Sequence, residues 1–337
     1  MRSTLLVVGG AGYVGSAVAA ALMRAGHQVL IYDNLSHGHR EAVPAGADLI
    51  VGDLEDRDAL DRVFRGARID AVLHFAALIE AGESMQVPER YFRNNTANTM
   101  GLLEAMIAHN VRAMVFSSTA AVYGIPERMP IQEEDRLAPI NPYGESKLIV
   151  ERMLHWHNIT RGLRYACLRY FNACGATSER GEDHAPESHL IPLVLRVALG
   201  KRDSIAIFGS DYETPDGTCV RDYVHVEDLA AAHVLALEAL QRQEQKSADP
   251  SESRMIYNLG SGTGYSVRQV VEVARAVTGH PIPAEESPRR PGDPPVLVAS
   301  AEKIKRELGW RPRHGELQTI VSSAWDWHRA HPDGYRA

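Results

Sequence analysis

Four glycines within seven residues, Gly9-Gly10-Ala11-Gly12-Tyr13-Val14-Gly15, constrain this chain more than any other stretch. They follow a short β-rich run, Thr4 to Val8, and precede a helical stretch, Ser16 to Ala25, that Gly26 closes. Glycines between a strand and a helix permit a tight turn and close backbone approach, so the helix N-terminus can receive a pyrophosphate. The GxxGxxG spacing of Gly9, Gly12 and Gly15 is weak alone, because glycines also simply end strands. It gains from Asp33, 18 residues beyond Gly15 and just after a second apolar run, Gln28 to Tyr32. A carboxylate there accepts hydrogen bonds from an adenosine ribose, and its charge repels a 2′-phosphate, which favours NAD over NADP. Asp53, in Val51-Gly52-Asp53-Leu54, reads equally as an adenine contact or as a helix cap ahead of Asp56.

Short apolar runs continue at Asp48 to Val51, Ala71 to Phe75, Ala113 to Ser117 and Arg164 to Tyr170. Helical stretches separate them: Asp56 to Phe64, a long one from about Pro88 to His109, and Tyr143 to about Ile159. This alternation predicts an α/β fold with a Rossmann-type, doubly wound parallel sheet. After Asn172 the texture changes, and residues 173 to 190 are polar and rich in Gly, Glu and His. The expected division is a nucleotide-binding domain over 1–172 and a smaller α+β substrate domain over 173–337. A helix at about 224–241 is expected to return to the first domain. Within the second, a helix is predicted at Ile191–Leu199, a strand at Ser204–Phe208 and an exposed loop at Gln241–Ser253, and the stretches Val267–Thr278, Pro-rich 281–295 and Ala301–Leu308 finish the α+β portion.

With 337 residues, 45% hydrophobic and 23% charged, the chain has the composition of an ordinary globular protein. Its net charge of −7 argues against general binding to nucleic acid or an anionic membrane. Arg2 and the apolar stretch ending in Ala19-Ala20-Ala21 imitate a signal peptide, but the glycines interrupt it. No run approaches about 18 consecutive apolar residues, so no membrane span is expected. Cys167, Cys174 and Cys219 form no CxxC pair and read as packing residues in a reducing compartment, so the expected location is cytoplasmic.

Tyr143-Gly144-Glu145-Ser146-Lys147 supplies a candidate base. Tyrosine and lysine four apart share one helix face. A nearby ammonium favours the ionised phenol, bringing a group with a free pKa of about 10 into use near neutrality. His184 and His189 lie among Glu182, Asp183 and Glu187, but their irregular spacing on a loop argues against a metal, and His189 is expected to touch substrate. Tyr123 and His74 read as structural.

Further motifs extend nearly end to end: His74-Phe75-Ala76-Ala77, Gly82-Glu83-Ser84, Phe116-Ser117-Ser118-Thr119, Arg169-Tyr170-Phe171-Asn172, Ala206-Ile207-Phe208-Gly209, Val220-Arg221-Asp222-Tyr223 and Arg289-Arg290-Pro291-Gly292-Asp293. With the glycines, Asp33 and the Tyr143/Lys147 pair, they resemble the extended short-chain dehydrogenase/reductases and, within them, the UDP-glucose 4-epimerase family. The resemblance implies NAD contacts from Gly9, Gly12, Tyr13, Val14, Gly15, Asp33, Asn34, Asp53, Leu54, Phe75, Ala76, Ala77, Asn94, Tyr143 and Lys147. It implies UDP-hexose contacts from Thr119, Tyr143, Asn172, Leu190, Arg221, Tyr223, Arg290 and Asp293, with Phe171 between the two groups. Tyr143, Lys147 and Thr119 would be catalytic, exchanging UDP-galactose and UDP-glucose through a transient 4-keto sugar, and a homodimer through helices around 88–109 and 143–160 would be usual.

Guanidinium groups bind phosphate oxygens bidentately, so Arg221 and Arg290 suit a pyrophosphate, the bland reading being ion pairs with Asp222 or Asp293. Phe208 would stack on or pack near uracil, the bland reading being the core position usual for an aromatic in a strand. Ile79 stands where the family often has a lysine, Thr119 where it commonly has a serine, and Leu297 at a position that tends to limit the sugar's C2 substituent. A 4,6-dehydratase or decarboxylase would carry an acid after Thr119, where this chain has Ala120 and Ala121. A silent NAD-binding regulatory protein would commonly lack the Tyr/Lys pair. Other UDP-sugars (N-acetylhexosamine, glucuronate, xylose) stay open as substrates of a 4-epimerase.

Overall fold

The computed structural model of the protein describes residues 2–246, 254–290 and 293–335. The first half runs β1 (Thr4–Val8), α1 (Tyr13–Arg24), β2 (Gln28–Asp33), β3 (Asp48–Val51), α2 (Arg57–Gly66), β4 (Ala71–His74), two single-turn helices α3 (Ala81–Ser84) and α4 (Pro88–Tyr91), then α5 (Asn98–Ala108), β5 (Ala113–Thr119), α6 (Pro142–Arg161) and β6 (Arg164–Tyr170). The second half runs β7 (Asn172–Cys174), α7 (Leu190–Ala198), β8 (Ile205–Phe208), β9 (Val220–His225), α8 (Val226–Lys246), β10 (Arg254–Leu259), β11 (Gly264–Ser266), α9 (Val267–Thr278), β12 (Ala284–Ser287), β13 (Val296–Leu297), α10 (Glu302–Leu308) and α11 (Leu317–Ala330).

Seven parallel strands form the central sheet in the order β10-β6-β5-β4-β1-β2-β3. Both faces are covered, which explains the near-continuous apolar runs. Side chains alternate along β1: Leu5 and Val7 meet Val18 and Leu22 of α1 and Leu237 of α8, while Leu6 and Val8 meet Leu60 of α2, Leu102 of α5 and Leu154 of α6. The doubly wound sheet is therefore as the sequence predicts.

The domain boundary needs revision. The chain leaves the sheet at Asn172 and returns with α8, which packs on α1, but also with β10 beside β6. Sequence reading expected only the helix. Arg-Met-Ile-Tyr-Asn-Leu shows no clean alternation, and its place in the sheet is set by pairing with Tyr165–Tyr170, far away in sequence. Helix α8 continues to Lys246 through residues expected to be loop, and 247–253 lie outside the described residues. The long helix expected over 88–109 is α4 and α5 joined by a π-helical turn, Phe92–Ala97. Such turns accumulate at functional sites.

The remaining layer centres on β9, which pairs in parallel with β7 and β13 and antiparallel with β11, while β8 pairs with β12. Helices α7, α9 and α11 cover it through Ile191, Val194, Val270, Ile320 and Trp325. Asp222, weighed as an ion-pair partner for Arg221, is instead fully buried and accepts from Ser261, Gly262 and Ala299 backbone N–H groups. All three cysteines are buried and unpaired. Among the described residues, no helix is long and apolar enough to cross a membrane.

Candidate active site

Strand order reverses direction between β1 and β4, and in doubly wound sheets the crevice at that reversal, beyond the strands' carboxyl ends, receives ligands. Both neighbouring loops converge there. Phe75 and Ala76 donate backbone N–H to the Val8 carbonyl at 2.7 and 3.1 Å. Gly9 has φ of +80°, and a Cβ on it would stand 2.4 Å from the Ala76 nitrogen; a Cβ on Gly15 would stand 2.1 Å from the Gly9 oxygen. Only glycine fits either place. Gly12 is the N-cap of α1 and brings no side chain to the helix end, so the first-turn N–H groups around Tyr13 and Val14 face a site fit for a pyrophosphate. The Tyr13 hydroxyl itself donates to the Gly175 carbonyl at 2.6 Å, tying α1 to the loop after β7.

Asp33 ends β2 as expected. Its carboxylate accepts from Ala11 N at 2.9 Å and Leu35 N at 2.8 Å, and burial raises its pKa. Asp53 is not the cap of α2, because Asp56 accepts from Ala59 N in that role. Asp53 instead takes a 2.6 Å hydrogen bond from the Asn34 amide, so the two sequence-expected residues hold each other. Leu54 packs into the core beneath them. Asn94 donates to Asn95, and it is Asn95, which the sequence reading passed over, that bridges the loop after β4 to α6. Asn95 bonds Leu78 through both N–H and C=O and donates to the Ser146 hydroxyl at 3.0 Å.

Helix α6 begins at the Asn141 cap, which accepts from Gly144 N, with Pro142 at its first position. This sets Tyr143 and Lys147 on the face toward β5. The Thr119 hydroxyl, which accepts from Ala121 N at 3.1 Å, stands close enough to the Tyr143 phenol to lower its pKa. Lys147 is 3% exposed; its Nζ donates to the Ser117 carbonyl at 2.9 Å and lies 4.9 Å from the Phe116 ring centre. Electrostatics here depart from the sequence expectation. Burial raises the Tyr143 pKa, the nearby Thr119 hydroxyl lowers it, and the Glu80 charge raises it again, so the phenol stands above its ordinary value rather than below. Burial likewise lowers Lys147 to about 7. Desolvation disfavours the charged form of the lysine, and the causes of the Tyr143 shift are burial, Thr119 and Glu80.

On the far side, Arg221 is ion-paired with Asp293, joining two residues expected to meet substrate. The Arg290 guanidinium lies 4.1 Å from the Phe208 ring centre, a cation–π contact at the open end of β8. Asn172 and Leu190 begin β7 and α7. Phe171 and Leu297 pack together with Val122, Tyr123 and Leu148. Tyr223, expected to face the nucleotide sugar, is 3% exposed within the core of the C-terminal layer. His189, expected at the substrate, hydrogen-bonds Glu187 and sits 2.9 Å from Glu182. Glu80 carried no sequence signal; it accepts from the Ser188 hydroxyl at 2.6 Å, linking the loop after β4 to that before α7.

Strand order, glycine turn, Asp33 and the Tyr143–Thr119–Lys147 group together define a dinucleotide-dependent short-chain dehydrogenase/reductase. Residues 5–260 match the NAD dependent epimerase/dehydratase family. The chain is 52% identical over 333 residues to UDP-glucose 4-epimerase of Halalkalibacterium halodurans, covering 98% of this chain and 97% of that one. A crystal structure of UDP-glucose 4-epimerase superimposes with TM-score 0.94 at 49% identity, over 99% of this chain and 100% of that one. That of Bifidobacterium longum, in complex with NAD+ and UDP, superimposes with TM-score 0.91 at 37% identity, over 99% and 100%. The chain belongs to the NAD dependent epimerase/dehydratase family and, within it, to the UDP-glucose 4-epimerase family.

Proposed function

We propose that this protein interconverts UDP-galactose and UDP-glucose by inverting C4 of the hexose, using NAD. The observation that carries the reading is the half-buried Tyr143 phenol beside Thr119, at the carboxyl end of β5, near the crevice where the glycine turn and Asp33 would hold a dinucleotide. The C4 hydrogen is not acidic, so direct deprotonation is impractical; bound NAD supplies reversible hydride chemistry at that carbon. Tyr143 removes the proton of the 4-hydroxyl and, after the 4-keto sugar has turned its other face, returns it. Thr119 hydrogen-bonds the same oxygen. Ala120 and Ala121 open a 3-10 turn after Thr119 and bring no acid for elimination, which disfavours a dehydratase. Arg221 and Arg290 are the candidate pyrophosphate ligands; Arg221 would share its guanidinium between Asp293 and the phosphate.

Incubating the purified protein with UDP-galactose, without added NAD, is expected to yield UDP-glucose, and Tyr143→Phe is expected to lose roughly 10²–10⁴-fold in rate. No turnover even with NAD, or a fully active Tyr143→Phe, would refute the proposal. Parallel runs with UDP-N-acetylgalactosamine read out what Leu297 permits at C2. We further infer a cytoplasmic homodimer. Trp156 and Ile159, 62% and 54% exposed and three apart on α6, offer an apolar face for a second copy, and light scattering on the eluting peak measures it.

A further inference from the structure

Beside the crevice, the loop before α7 gathers a second group of side chains. Glu182, His184, Glu187 and His189 each bring one ligand atom into a common space, all within 4.8 Å of one another. His189 Nδ1 lies 2.9 Å from Glu182 Oε1 and 2.9 Å from Glu187 Oε1. His184 Nδ1 lies 3.4 Å from Glu182 Oε1 and 3.7 Å from Glu187 Oε2. Donors held tetrahedrally at about 2.0–2.1 Å from one ion stand about 3.3 Å apart, and the separations that involve Glu182 Oε1, His184 Nδ1, Glu187 Oε2 and His189 Nδ1, 2.9, 3.4 and 3.7 Å, bracket that value. The cluster is also incompletely satisfied. The Glu187 side chain is 0% exposed, yet its Oε2 and the His184 Nδ1 facing it make no hydrogen bond and meet only as ion-pair partners, with His184 also 3.4 Å from Glu182. Buried polar atoms of native proteins are nearly always hydrogen-bonded, so two unsatisfied ones aimed at each other need a reason. Glu187 Oε1, by contrast, accepts from the Ser188 and His189 backbone N–H groups at 2.9 and 2.8 Å, fixing the carboxylate with its other oxygen inward.

We propose that Glu182, His184, Glu187 and His189 form a binding site for a divalent transition-metal ion, with zinc the best fit. Imidazole nitrogens mixed with carboxylates suit zinc, whereas calcium and magnesium take oxygen ligands. Four protein ligands leave no open coordination position, so the ion is structural. A cavity of about 270 Å³, lined by His39, His184, Glu187, Arg196 and Asp333 among others, gives it an entry. The ion fastens the loop onto α1, where the Tyr13 ring stands edge-on to His184 at 6.3 Å and the Tyr13 hydroxyl bonds Gly175. Among the described residues the other grouping of this kind, His225, Glu227 and His314, differs: His225 Nδ1 accepts from Glu227 N and Nε2 meets the Ser323 hydroxyl at 2.9 Å, leaving neither of its nitrogens unsatisfied. Irregular spacing argued against ligation, but spacing along a loop says nothing once the loop folds back on itself.

The test uses untagged full-length protein stripped with a chelator and titrated with zinc chloride by calorimetry and with cobalt(II) by visible absorption. One zinc per chain is expected, with the absorption bands of tetrahedral cobalt and a melting temperature that rises with zinc. Glu187→Gln is expected to weaken zinc binding at least tenfold, and His184→Ala/His189→Ala to abolish both binding and the zinc-dependent rise. Absence of stoichiometric binding by the stripped wild-type protein overturns the proposal, whatever the folding state of the variants. So does equally tight binding by the folded double variant.

Discussion

Desolvation dominates the electrostatics of both Tyr143 and Lys147. Burial and the Glu80 charge hold the phenol up, and only the nearby Thr119 hydroxyl opposes them. Glu80→Gln keeps a partner for Ser188 but removes the charge. Because a nearby negative charge disfavours the phenolate, the variant's activity is expected to rise with pH at a lower pH than the wild type's, by a few tenths of a unit. A kcat/KM profile measures it, and an unshifted limb would show that Glu80 does not reach the phenol. Lys147 makes a second prediction. Its folded pKa of about 7 lies below the unfolded value of about 10.4, so between those pH values the unfolded chain holds a proton that the folded one lacks. Stability therefore climbs with pH across that window, and the full cost of burying the ammonium falls below pH 7. Lys147→Met is expected to lose roughly a hundredfold in rate while melting roughly 2–4 °C higher at pH 6, with a smaller gain at pH 9.

At the scale of elements, the site is a set of strand ends and helix starts. β1 and β2 deliver the glycine turn and Asp33, β5 delivers Thr119, and α6 delivers Tyr143. The glycine turn is the tightest junction. A methyl group on Gly15 would meet the Gly9 backbone oxygen, which cannot swing away as a side chain would. Gly15→Ala is expected to open the turn, so that protein purified from cells carries less than a tenth of the NAD found on the wild type, read by absorbance after denaturation. Full NAD retention would mean that the turn accommodates the methyl by a shift of α1. These junctions were legible because strand, turn and cap signals are local. The π-helical turn was not: residues 88–109 read as one helix, and its extra residue per turn shows only where Asn95 reaches Leu78 and Ser146.

Across the whole molecule, Arg169 is the joint. Its guanidinium is 2% exposed; it bonds Glu151 of α6 twice, the Tyr123 hydroxyl and the Glu133 carbonyl, while Glu151 also accepts from Ser118 and Tyr123 donates to Asn258 of β10. One buried ion pair thus connects the Thr119 strand, the Tyr143 helix and the returning strand. Arg169→Met leaves the Glu151 carboxylate buried without a counter-charge, held only by Ser118, and is expected to cost about 3–5 kcal/mol in urea unfolding. Arg169→Met/Glu151→Gln should recover part of that loss, and strict additivity would show that the two do not act as a pair.

The amino-acid sequence by itself determined the doubly wound sheet, the glycine turn with Asp33, and the Tyr143/Lys147 pair with Thr119. These follow from apolar period, backbone sterics and four-residue helix spacing, all of which act over short stretches. Tertiary structure alone decided the rest. It put β10 beside β6, paired Arg221 with Asp293, sank Tyr223 into a core, and buried Lys147 until burial outweighed its charge. Tyr123 and Asn258 meet across 135 residues, and Arg221 and Asp293 across 72. Contacts at such separations depend on how the completed layers pack, and so does the desolvation that sets a pKa.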